Sequence, residues 1–332
     1  MKIVVHVPNW IGDAVLSLPA LEGLSRNFPE DRIWVAANDW VKDLFFACGF
    51  LNGTIPLPSQ NHFKSLRHSV QRLEAFRFDL GILLPNSFSS ALLFYLAKIP
   101  QRWGYRSDGR GMLLTRGVTS GKNALHQAQY YLELLSRLGI KAEAEELNFP
   151  LREDEKKRAH EYLRALNVEL RNPLVILHPG ASYGPAKRWP SHKFARLAGL
   201  FQERDKATIL IIGSWDEMET ASFLSSSMTR EPINLAGQTS LRLLAGLIHQ
   251  ASLFISNDSG PMHLANALKT PVVALFGPSD PQQTRPFQQP SAVIKKEVPC
   301  WPCSYRECPF DHRCMMNIEP EEVYLAGKKF LG

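Results

Sequence analysis

The chain of 332 residues lacks several patterns that would assign it to a familiar class of protein. It has no G-x-G-x-x-G run, which argues against a nicotinamide-dependent dehydrogenase, because those glycines let the backbone approach the dinucleotide. It has no D-x-D pair either, a device by which many enzymes hold a nucleotide sugar through a divalent cation. Its apolar runs are of strand length, far below the roughly 20 residues that cross a bilayer.

The composition is that of an ordinary globular protein, with 45% hydrophobic and 21% charged residues. The length suits two domains better than a single core. The N-terminal run Met1–Pro8 is too short and too soon interrupted for a signal peptide, and it is typical of a buried first strand. We therefore expect a cytoplasmic protein.

Short β-type runs alternate with helical periodicity along the whole chain, which predicts the α/β class, with parallel sheets flanked by helices. A charged helix from Arg152 and a linker over Asn167–Pro173 separate two such series, so we expect two open sheets facing a central cleft. The predicted segments are 1–166, 167–319 and a closing helix, 320–332, that packs back on the first domain. Ligands of such folds bind beyond the carboxyl ends of strands, so the loops after strands are the functional candidates.

Positive charge is concentrated in the first half of the chain. Between residues 61 and 122 there are ten cations against three acids. The cations are Lys64, Arg67, Arg72, Arg77, Lys98, Arg102, Arg106, Arg110, Arg116 and Lys122. Such a stretch is either a solvated surface or a face for an anionic partner: phosphates, acidic sugars or an anionic membrane surface. No nucleic-acid-binding motif accompanies it, so we expect no nucleic-acid partner.

The first candidate loop, Pro8–Asp13, follows the first predicted strand. Asp13 stands at the start of a helix, where free backbone N–H groups and the helix dipole stabilise a carboxylate. Asp13 is therefore either a plain helix cap or a general base at the rim of the cleft.

The second candidate loop, His178–Pro190, follows the first strand of the second half. Its small residues leave backbone N–H groups accessible, and Ser182 adds a hydroxyl. Lys187 and Arg188 supply positive charge of the kind that neutralises a leaving diphosphate. The alternative is a structural loop whose cations face water.

The third candidate loop, Ser256–His263, has the order strand, small polar turn, helix. The N–H groups of Ser259, Gly260 and the first helical turn would form an anion site. Asp258 would repel phosphate, so we expect it to cap the helix or to bind sugar hydroxyls. His263, one turn into the helix, is placed to donate to a phosphate or sugar oxygen.

Four of the five cysteines are gathered near the C-terminus. Their spacing is Cys300-x2-Cys303-x4-Cys308-x5-Cys314, with His312 among them. This spacing is compatible with a structural zinc site, with thiols packed in a compact loop, or with redox pairing. A cytoplasmic setting disfavours disulfide bonds.

Together these motifs resemble the ADP-heptose:lipopolysaccharide heptosyltransferases, and most closely the heptosyltransferase II branch. The resemblance runs nearly end to end. It rests on Pro8–Asp13, Pro179–Pro190, Asn257–His263 and the Cys-Trp-Pro-Cys run at 300–303, and the second and third of these are specific together. Trp10-Ile11-Gly12 favours branch II, because the heptosyltransferase I branch tends to carry smaller polar residues there.

The resemblance implies a GT-B architecture of two Rossmann-like domains, the first binding the acceptor and the second the ADP-sugar. It implies inverting transfer of heptose from ADP-L-glycero-D-manno-heptose to the first heptose of the lipopolysaccharide inner core on Kdo-lipid A, with no cofactor required for catalysis. An inverting displacement needs one base for the acceptor hydroxyl proton, and the family's catalytic aspartate corresponds to Asp13. The alternatives are a related transferase with another acceptor position or nucleotide sugar, and a catalytically silent sugar-nucleotide-binding protein.

The resemblance also implies the binding residues. On the donor side they comprise a diphosphate-binding lysine with its neighbours, a D-[ST]-G-x-x-H loop and a glutamate near the ribose. The lysine corresponds to Lys187, and its neighbours are Ser182 and Arg188. The D-[ST]-G-x-x-H loop corresponds to Asp258, Ser259, Gly260 and His263, and the glutamate to Glu217. On the acceptor side, Lys64, Arg67 and Arg72 are expected to orient the anionic Kdo and lipid A phosphates at the inner membrane surface, which the protein would contact peripherally.

Overall fold

The computed structural model describes residues 1–58, 63–121, 124–169 and 171–331. Contacts between Cα atoms divide the chain into two compact units, Met1–Pro150 and Leu151–Gly332. Lys122 of the basic stretch and Leu170 of the predicted linker lie outside the described residues.

The first unit contains a six-stranded parallel sheet in the order β3-β2-β1-β4-β5-β6. Its strands are β1 Lys2–His6, β2 Arg32–Asn38, β3 Gly53–Leu57, β4 Leu80–Leu83, β5 Gln101–Tyr105 and β6 Arg116–Val118. Its helices are α1 Ile11–Leu16, α2 Leu18–Asn27, α3 Phe63–Phe76, α4 Phe88–Leu96 and α5 Gln127–Arg137. Strand β4 is buried along its whole length, as expected for a central parallel strand that is covered on both faces.

The second unit repeats this plan, with the strand order β12-β11-β10-β7-β8-β9. Its strands are β7 Leu174–His178, β8 Thr208–Ile211, β9 Ile233–Asn234, β10 Leu253–Asn257, β11 Val272–Phe276 and β12 Ser291–Lys295. Its helices are α6 Glu153–Ala165, α7 Ser191–Arg204, α8 Met218–Ser226, α9 Leu241–Gln250, α10 Gly260–Ala267, α11 Pro281–Thr284, α12 Arg313–Met316 and α13 Pro320–Lys328. The three central strands are fully buried, which explains their continuous apolar runs.

Each sheet has one place where the direction of chain winding reverses. In the first unit the first strand, β1, pairs with both β2 and β4; in the second unit β7 pairs with both β8 and β10. Loops leave such a pair in opposite directions and open a crevice at its carboxyl end. The loops after β7 and β10, selected from the sequence, therefore meet at one reversal point, and the loop after β1 lies at the other.

The boundary between the units differs from the sequence prediction. Helix α6 was assigned to the first domain by the predicted boundary at 166, yet it packs on α9 of the second unit. Arg242 Nε donates to Glu155 Oε1 at 2.7 Å, and both side chains are nearly buried. A Cβ at Gly246 would lie 2.7 Å from the Cβ of Ala159, so the two helices are in close contact. This packing moves the boundary to Pro150.

The C-terminal helix α13 is also part of the second unit. A Cβ at Gly327 would lie 2.7 Å from Leu253 and 3.0 Å from Phe201, so this helix lies against β10 and α7. Lys193 Nζ holds Glu319, just before the helix, at 2.9 Å. The helix is therefore built into the second core, and its packing on the first domain stays a prediction. Within the described ranges, no helix is both long and apolar enough to cross a membrane.

Candidate active site

Lys187 and Asp258 bring the loops after β7 and β10 together. Lys187 Nζ forms a salt bridge with Asp258 Oδ2, and the two side chains are only 13% and 5% exposed. Ser279 Oγ donates to the same carboxylate oxygen at 2.6 Å. Helix α10 begins after Ser259, so Asp258 does not cap the helix as one expectation held; it positions the lysine.

Asn257 fastens the same two loops through backbone groups. Its Oδ1 accepts the N–H of Trp189 at 2.9 Å, and its Nδ2 donates to the carbonyl oxygens of Pro179 and Gly180 at 2.8 and 3.1 Å. Asn257 is completely buried, so all three bonds form in a medium where an unpaired amide would be costly. Asn257 belongs to the third candidate loop, and its role in joining the two loops is not evident from the sequence pattern.

His178, at the end of β7, links Ser259 to Glu217. Its Nδ1 lies 3.0 Å from Ser259 Oγ, and its Nε2 lies 3.2 Å from Glu217 Oε2. The ring of His178 therefore fixes the position of the Ser259 hydroxyl on one side and of the Glu217 carboxylate on the other.

Glu217 is held as a carboxylate although it is buried. Burial alone would raise the pKa of this group; the hydrogen bond and charge of His178, with hydrogen bonds from Ser214, lower the pKa to about 2. Glu217 Oε2 accepts from Ser214 N at 2.8 Å and from Ser214 Oγ at 3.0 Å. Its other oxygen, Oε1, is buried and has no hydrogen-bond partner within the described part of the chain.

Gly180 makes room for that carboxylate. A Cβ at this position would lie 2.0 Å from Glu217 Oε1, a separation that no side chain tolerates. The small residues after β7 are therefore needed for more than access to backbone N–H groups, because they let Glu217 approach the loop.

The remaining predicted donor residues differ in exposure. Ser182 is exposed, whereas His263 is 4% exposed and lies one turn into α10. Arg188 is half-buried, and its Nε is buried without a hydrogen-bond partner among the described residues. Gly260 is the first residue of α10, so its N–H points out of the N-terminal end of the helix.

The run Gly180–Gly184 also matches the G-x-S-x-G pattern of α/β-hydrolases, whose serine needs a histidine partner. Here His178 contacts Ser259 and Glu217 instead of Ser182. The loop continues into a short turn, Pro185–Lys187, before α7 begins. This geometry favours an anion-binding loop over a hydrolase nucleophile.

Asp13 lies in the first turn of α1, directly after the loop that follows β1. It is half-buried, and its charge adds to burial in raising the pKa of the buried Tyr131, on α5, well above its usual value. In the loop that leads to α1, Trp10 is 56% exposed, and Trp40 is 48% exposed. Trp40 Nε1 donates to the Asn9 carbonyl at 2.6 Å, so both accessible indole rings belong to the surroundings of this loop.

Comparison with known proteins shows the family of the chain that carries these loops. Residues 66–313 match the model of glycosyltransferase family 9 (heptosyltransferase). The chain belongs to this family. It is 33% identical over 312 residues to lipopolysaccharide heptosyltransferase 2 of Escherichia coli strain K12, covering 89% of this chain and 88% of that protein.

Two further similarities extend over the full length. Lipooligosaccharide heptosyltransferase 2 of Campylobacter jejuni subsp. jejuni serotype O:2 is 30% identical over 347 residues, covering 100% of this chain and 98% of that protein. The solved structure of Escherichia coli ADP-heptose lipopolysaccharide heptosyltransferase II superposes with a TM-score of 0.85 at 29% identity, covering 100% and 98% of the two chains. The predicted resemblance and the GT-B class, with two Rossmann-like domains, are confirmed.

In this family 9 glycosyltransferase the basic stretch does not form one uniform cationic face. Lys64 and Arg67 are exposed on α3, while Arg72, half-buried, donates to the Pro56 carbonyl at 2.6 Å. Lys98 pairs with Glu74. At least these last two cations have structural partners, so the charge excess overstates the surface that is open to an anion.

Arg110 is the clearest structural member of the stretch, with no exposed surface. Its guanidinium donates to the carbonyl oxygens of Tyr105 at 2.9 Å and of Pro85, and to Ser90 Oγ at 3.0 Å. Burial lowers the pKa of Arg110 to about 10. Arg110 thus anchors the loop after β4. In the same loop, exposed Asn86 donates to the Tyr130 hydroxyl at 2.8 Å.

The four clustered cysteines give no support to a structural zinc site, one of the three arrangements that their spacing allows. All are free thiols, and among the described residues, which include all four, no group of three or more His, Cys, Asp or Glu is placed to hold a metal ion. The aromatic ring of Tyr183 connects this segment to Lys187 in the loop after β7. Lys187 Nζ lies 4.8 Å and Arg306 Cζ 5.3 Å from its centroid. Arg306 was missed, because its sequence context carries no donor motif.

Proposed function

We propose that this glycosyltransferase moves heptose from ADP-heptose to the first heptose of the lipopolysaccharide inner core, with inversion at the anomeric carbon. The observation that carries the proposal is the Lys187–Asp258 pair beside the first turn of α10, at the strand ends where α/β sheets bind ligands. The full-length similarity to proteins named heptosyltransferase 2 supports the choice of sugar and acceptor.

The second unit is the donor site in this proposal. Lys187 and the N–H groups at the start of α10 neutralise the diphosphate as it leaves, while Asp258 and Ser279 keep the lysine in place. Ser259, oriented by His178, donates its hydroxyl proton to a phosphate oxygen. No divalent cation is needed for these steps, because the charge comes from side chains and the helix end.

The other donor residues have supporting roles. Arg188, whose Nε is buried without a partner in the described residues, gains one from a phosphate oxygen. Ser182 and His263 donate to phosphate or sugar oxygens. Glu217 positions His178. The Oε1 atom of Glu217 accepts a hydrogen bond from a ribose hydroxyl when the nucleotide binds beside Gly180.

Asp13 is the general base on the acceptor side. A direct displacement with inversion requires one group to remove the proton of the attacking hydroxyl. Asp13 is half-buried at the loop after β1, where exposed Trp10 and Trp40 offer flat apolar surfaces to a sugar ring. This position, in the first turn of α1 after the loop that follows β1, lets the carboxylate meet the acceptor hydroxyl.

Exposed Lys64 and Arg67 bind the anionic part of the acceptor, and Arg72, which is held at the Pro56 carbonyl, adds its positive charge to theirs. Kdo carboxylates and lipid A phosphates are the anions of that molecule, and cations at the protein surface attract them over about 10 Å at moderate salt. Peripheral contact with the anionic inner face of the inner membrane follows from the same charges.

A steady-state assay that releases ADP tests the proposal, using ADP-heptose and an acceptor that ends in the first inner-core heptose. UDP- and GDP-sugars serve as competing donors, and an acceptor without heptose serves as the competing acceptor. We expect turnover with the first combination alone. Turnover with a UDP- or GDP-sugar, or ADP-sugar binding without any transfer, would contradict the assignment.

A further inference from the structure

Residues 300–314, named here the thiol segment, hold the backbone next to Lys187. The Ala186 N–H donates to the Arg306 carbonyl at 3.0 Å, and His312 Nε2 donates to the Ala186 carbonyl at 2.7 Å. Ala186 therefore has both backbone groups bonded to this segment. Lys187, the next residue, depends on it for its position.

The thiol segment also holds the loop that follows β11. The N–H groups of Cys303 and Ser304 donate to the Pro278 carbonyl at 3.1 and 2.9 Å. Ser279, the next residue, is the one that donates to Asp258. Both members of the Lys187–Asp258 pair are thus connected to the same short segment through backbone hydrogen bonds.

The four thiols of this segment line one cavity of about 200 Å³ whose wall also includes Ala186 and Pro278. Cys300 is exposed, Cys303 and Cys308 are half-buried and Cys314 is buried. Burial, and then the neighbouring thiols, raise the pKa of Cys314 to about 11. Cys314 therefore stays a thiol, and chemistry at this cavity begins with the outer cysteines.

Cys300 and Cys303 have the Cys-x-x-Cys spacing of dithiols that cycle with a disulfide. The pKa of Arg313 is raised, first by its hydrogen bond to Asp311 and further by the charge of Cys300. Arg313 also lines the cavity that contains Cys300 and Cys303, so a cation belongs to the surroundings of these thiols.

We propose that Cys300 and Cys303 form a thiol switch, in which oxidation to a disulfide loosens the ADP-sugar site. This inference rests on the proposed function, because it concerns the loops that bind the nucleotide. A peroxide is the oxidant class. The Cys300 thiolate attacks one peroxide oxygen and becomes a sulfenic acid. The O–O bond breaks, and the other oxygen leaves as water from hydrogen peroxide or as an alcohol from an organic peroxide. The Cys303 sulfur then attacks the sulfenic sulfur of Cys300 and forms the disulfide bond. The displaced hydroxide takes up the Cys303 proton and leaves as water.

The two thiols lose two electrons and two protons in this reaction, and the peroxide accepts them. Drawing the Cys303 sulfur toward Cys300 displaces the Cys303 backbone, whose N–H holds Pro278. The Asp258–Ser279 contact and the position of Lys187 then lose their support. A dithiol reductant reverses the change by thiol–disulfide exchange.

The test measures ADP binding by calorimetry in the reduced chain and after hydrogen peroxide treatment, with peptide mass spectrometry to identify the disulfide. We expect a Cys300–Cys303 disulfide, an ADP affinity lowered by about tenfold, and recovery with dithiothreitol. Hydrogen exchange at the Ala186 amide should be faster in the disulfide form, independently of nucleotide. C300S should bind ADP like the reduced chain and lose the peroxide response; C303S is the second variant and C48S the matched cysteine control.

The outcomes separate the two proposals. Absence of ADP binding in the reduced chain would contradict the donor site itself. A reduced chain that binds ADP, and whose Cys300–Cys303 disulfide form binds it equally well, would overturn the switch alone. A peroxide response that persists in C300S and C303S, or that disappears in C48S, would also overturn it.

Discussion

The Nζ of Lys187 and the Oδ2 of Asp258 form a nearly buried salt bridge between residues 71 apart in sequence. The pair explains why an acidic residue belongs in a site for a diphosphate. Asp258 keeps the lysine in place through the salt bridge, and Ser279 holds Asp258 by a hydrogen bond. A diphosphate then meets a cation whose position is already fixed, so that little side-chain entropy is lost on binding.

Replacing Asp258 by alanine should lower both stability and donor affinity. Removing one partner of a buried ion pair leaves an uncompensated charge, which costs about 3 kcal/mol. Urea unfolding measures this loss, and the KM for ADP-heptose should rise. The control is E22A, which breaks the exposed Arg26–Glu22 pair and should cost less than about 1 kcal/mol. Equal effects of the two variants would contradict the role of Asp258.

Glu217 should make the stability of the chain depend on pH in acid. Its pKa is lowered from 4.5 to about 2 in the folded protein, so its contribution is fully present above about pH 4.5 and is lost as the pH falls toward 2. Over that range the wild type should lose about 3 kcal/mol that E217Q does not lose. Unfolding measured at several pH values compares the two proteins, and parallel pH profiles would contradict the buried carboxylate.

Gly180 should tolerate no side chain. The Cβ of G180A would collide with Glu217 Oε1, displacing the carboxylate from His178, so ADP affinity and thermal stability should both fall. G199A is a matched control in α7, where an added Cβ meets nothing within 4 Å. There the lower backbone entropy of the unfolded chain should stabilise the protein by about 0.5 kcal/mol or more. Unchanged ADP affinity and thermal stability in G180A would contradict the predicted clash with Glu217.

Charge reversal on α3 should affect the acceptor alone. K64E and R67E replace exposed cations of the first unit, so the KM for an acceptor that carries Kdo and phosphates should rise while the KM for ADP-heptose stays constant. The effect should weaken at high salt, because surface charges are screened. K157E, an exposed position on α6, controls for net charge. An unchanged KM for the acceptor in both α3 variants would contradict acceptor binding by Lys64 and Arg67.

The buried central strands are continuous apolar runs that can be predicted from the sequence, whereas β3 and β5 lack such runs for physical reasons. Strand β3 contains Gly53 and Pro56 and lies at a sheet edge, as β12 does, where apolar continuity is not required. Strand β5 contains Arg102, whose guanidinium is occupied by the Leu113 carbonyl at 2.7 Å. Helices α1 and α2 are separated at Ser17, whose hydroxyl donates to the Ala14 carbonyl at 2.7 Å.

The site was predicted loop by loop, and its contacts were not. Each loop has a local signature of small residues after a strand, so the residues could be selected from sequence. The Lys187–Asp258 and His178–Glu217 contacts depend on which strands are neighbours, and sheet order is a property of the whole unit. The support that Arg306 gives Ala186 crosses 120 residues and has no local pattern.

The measurement that tests the central claim most directly is the turnover of D13N with ADP-heptose and a mono-heptosylated inner-core acceptor, beside the wild type and D43N. Asp43 is an exposed carboxylate of the same unit. The wild type and D43N should both transfer heptose with inversion, and D13N should bind ADP normally but lose about a hundredfold or more in kcat. Wild-type turnover in D13N, or no heptose transfer by the wild type, would contradict the account.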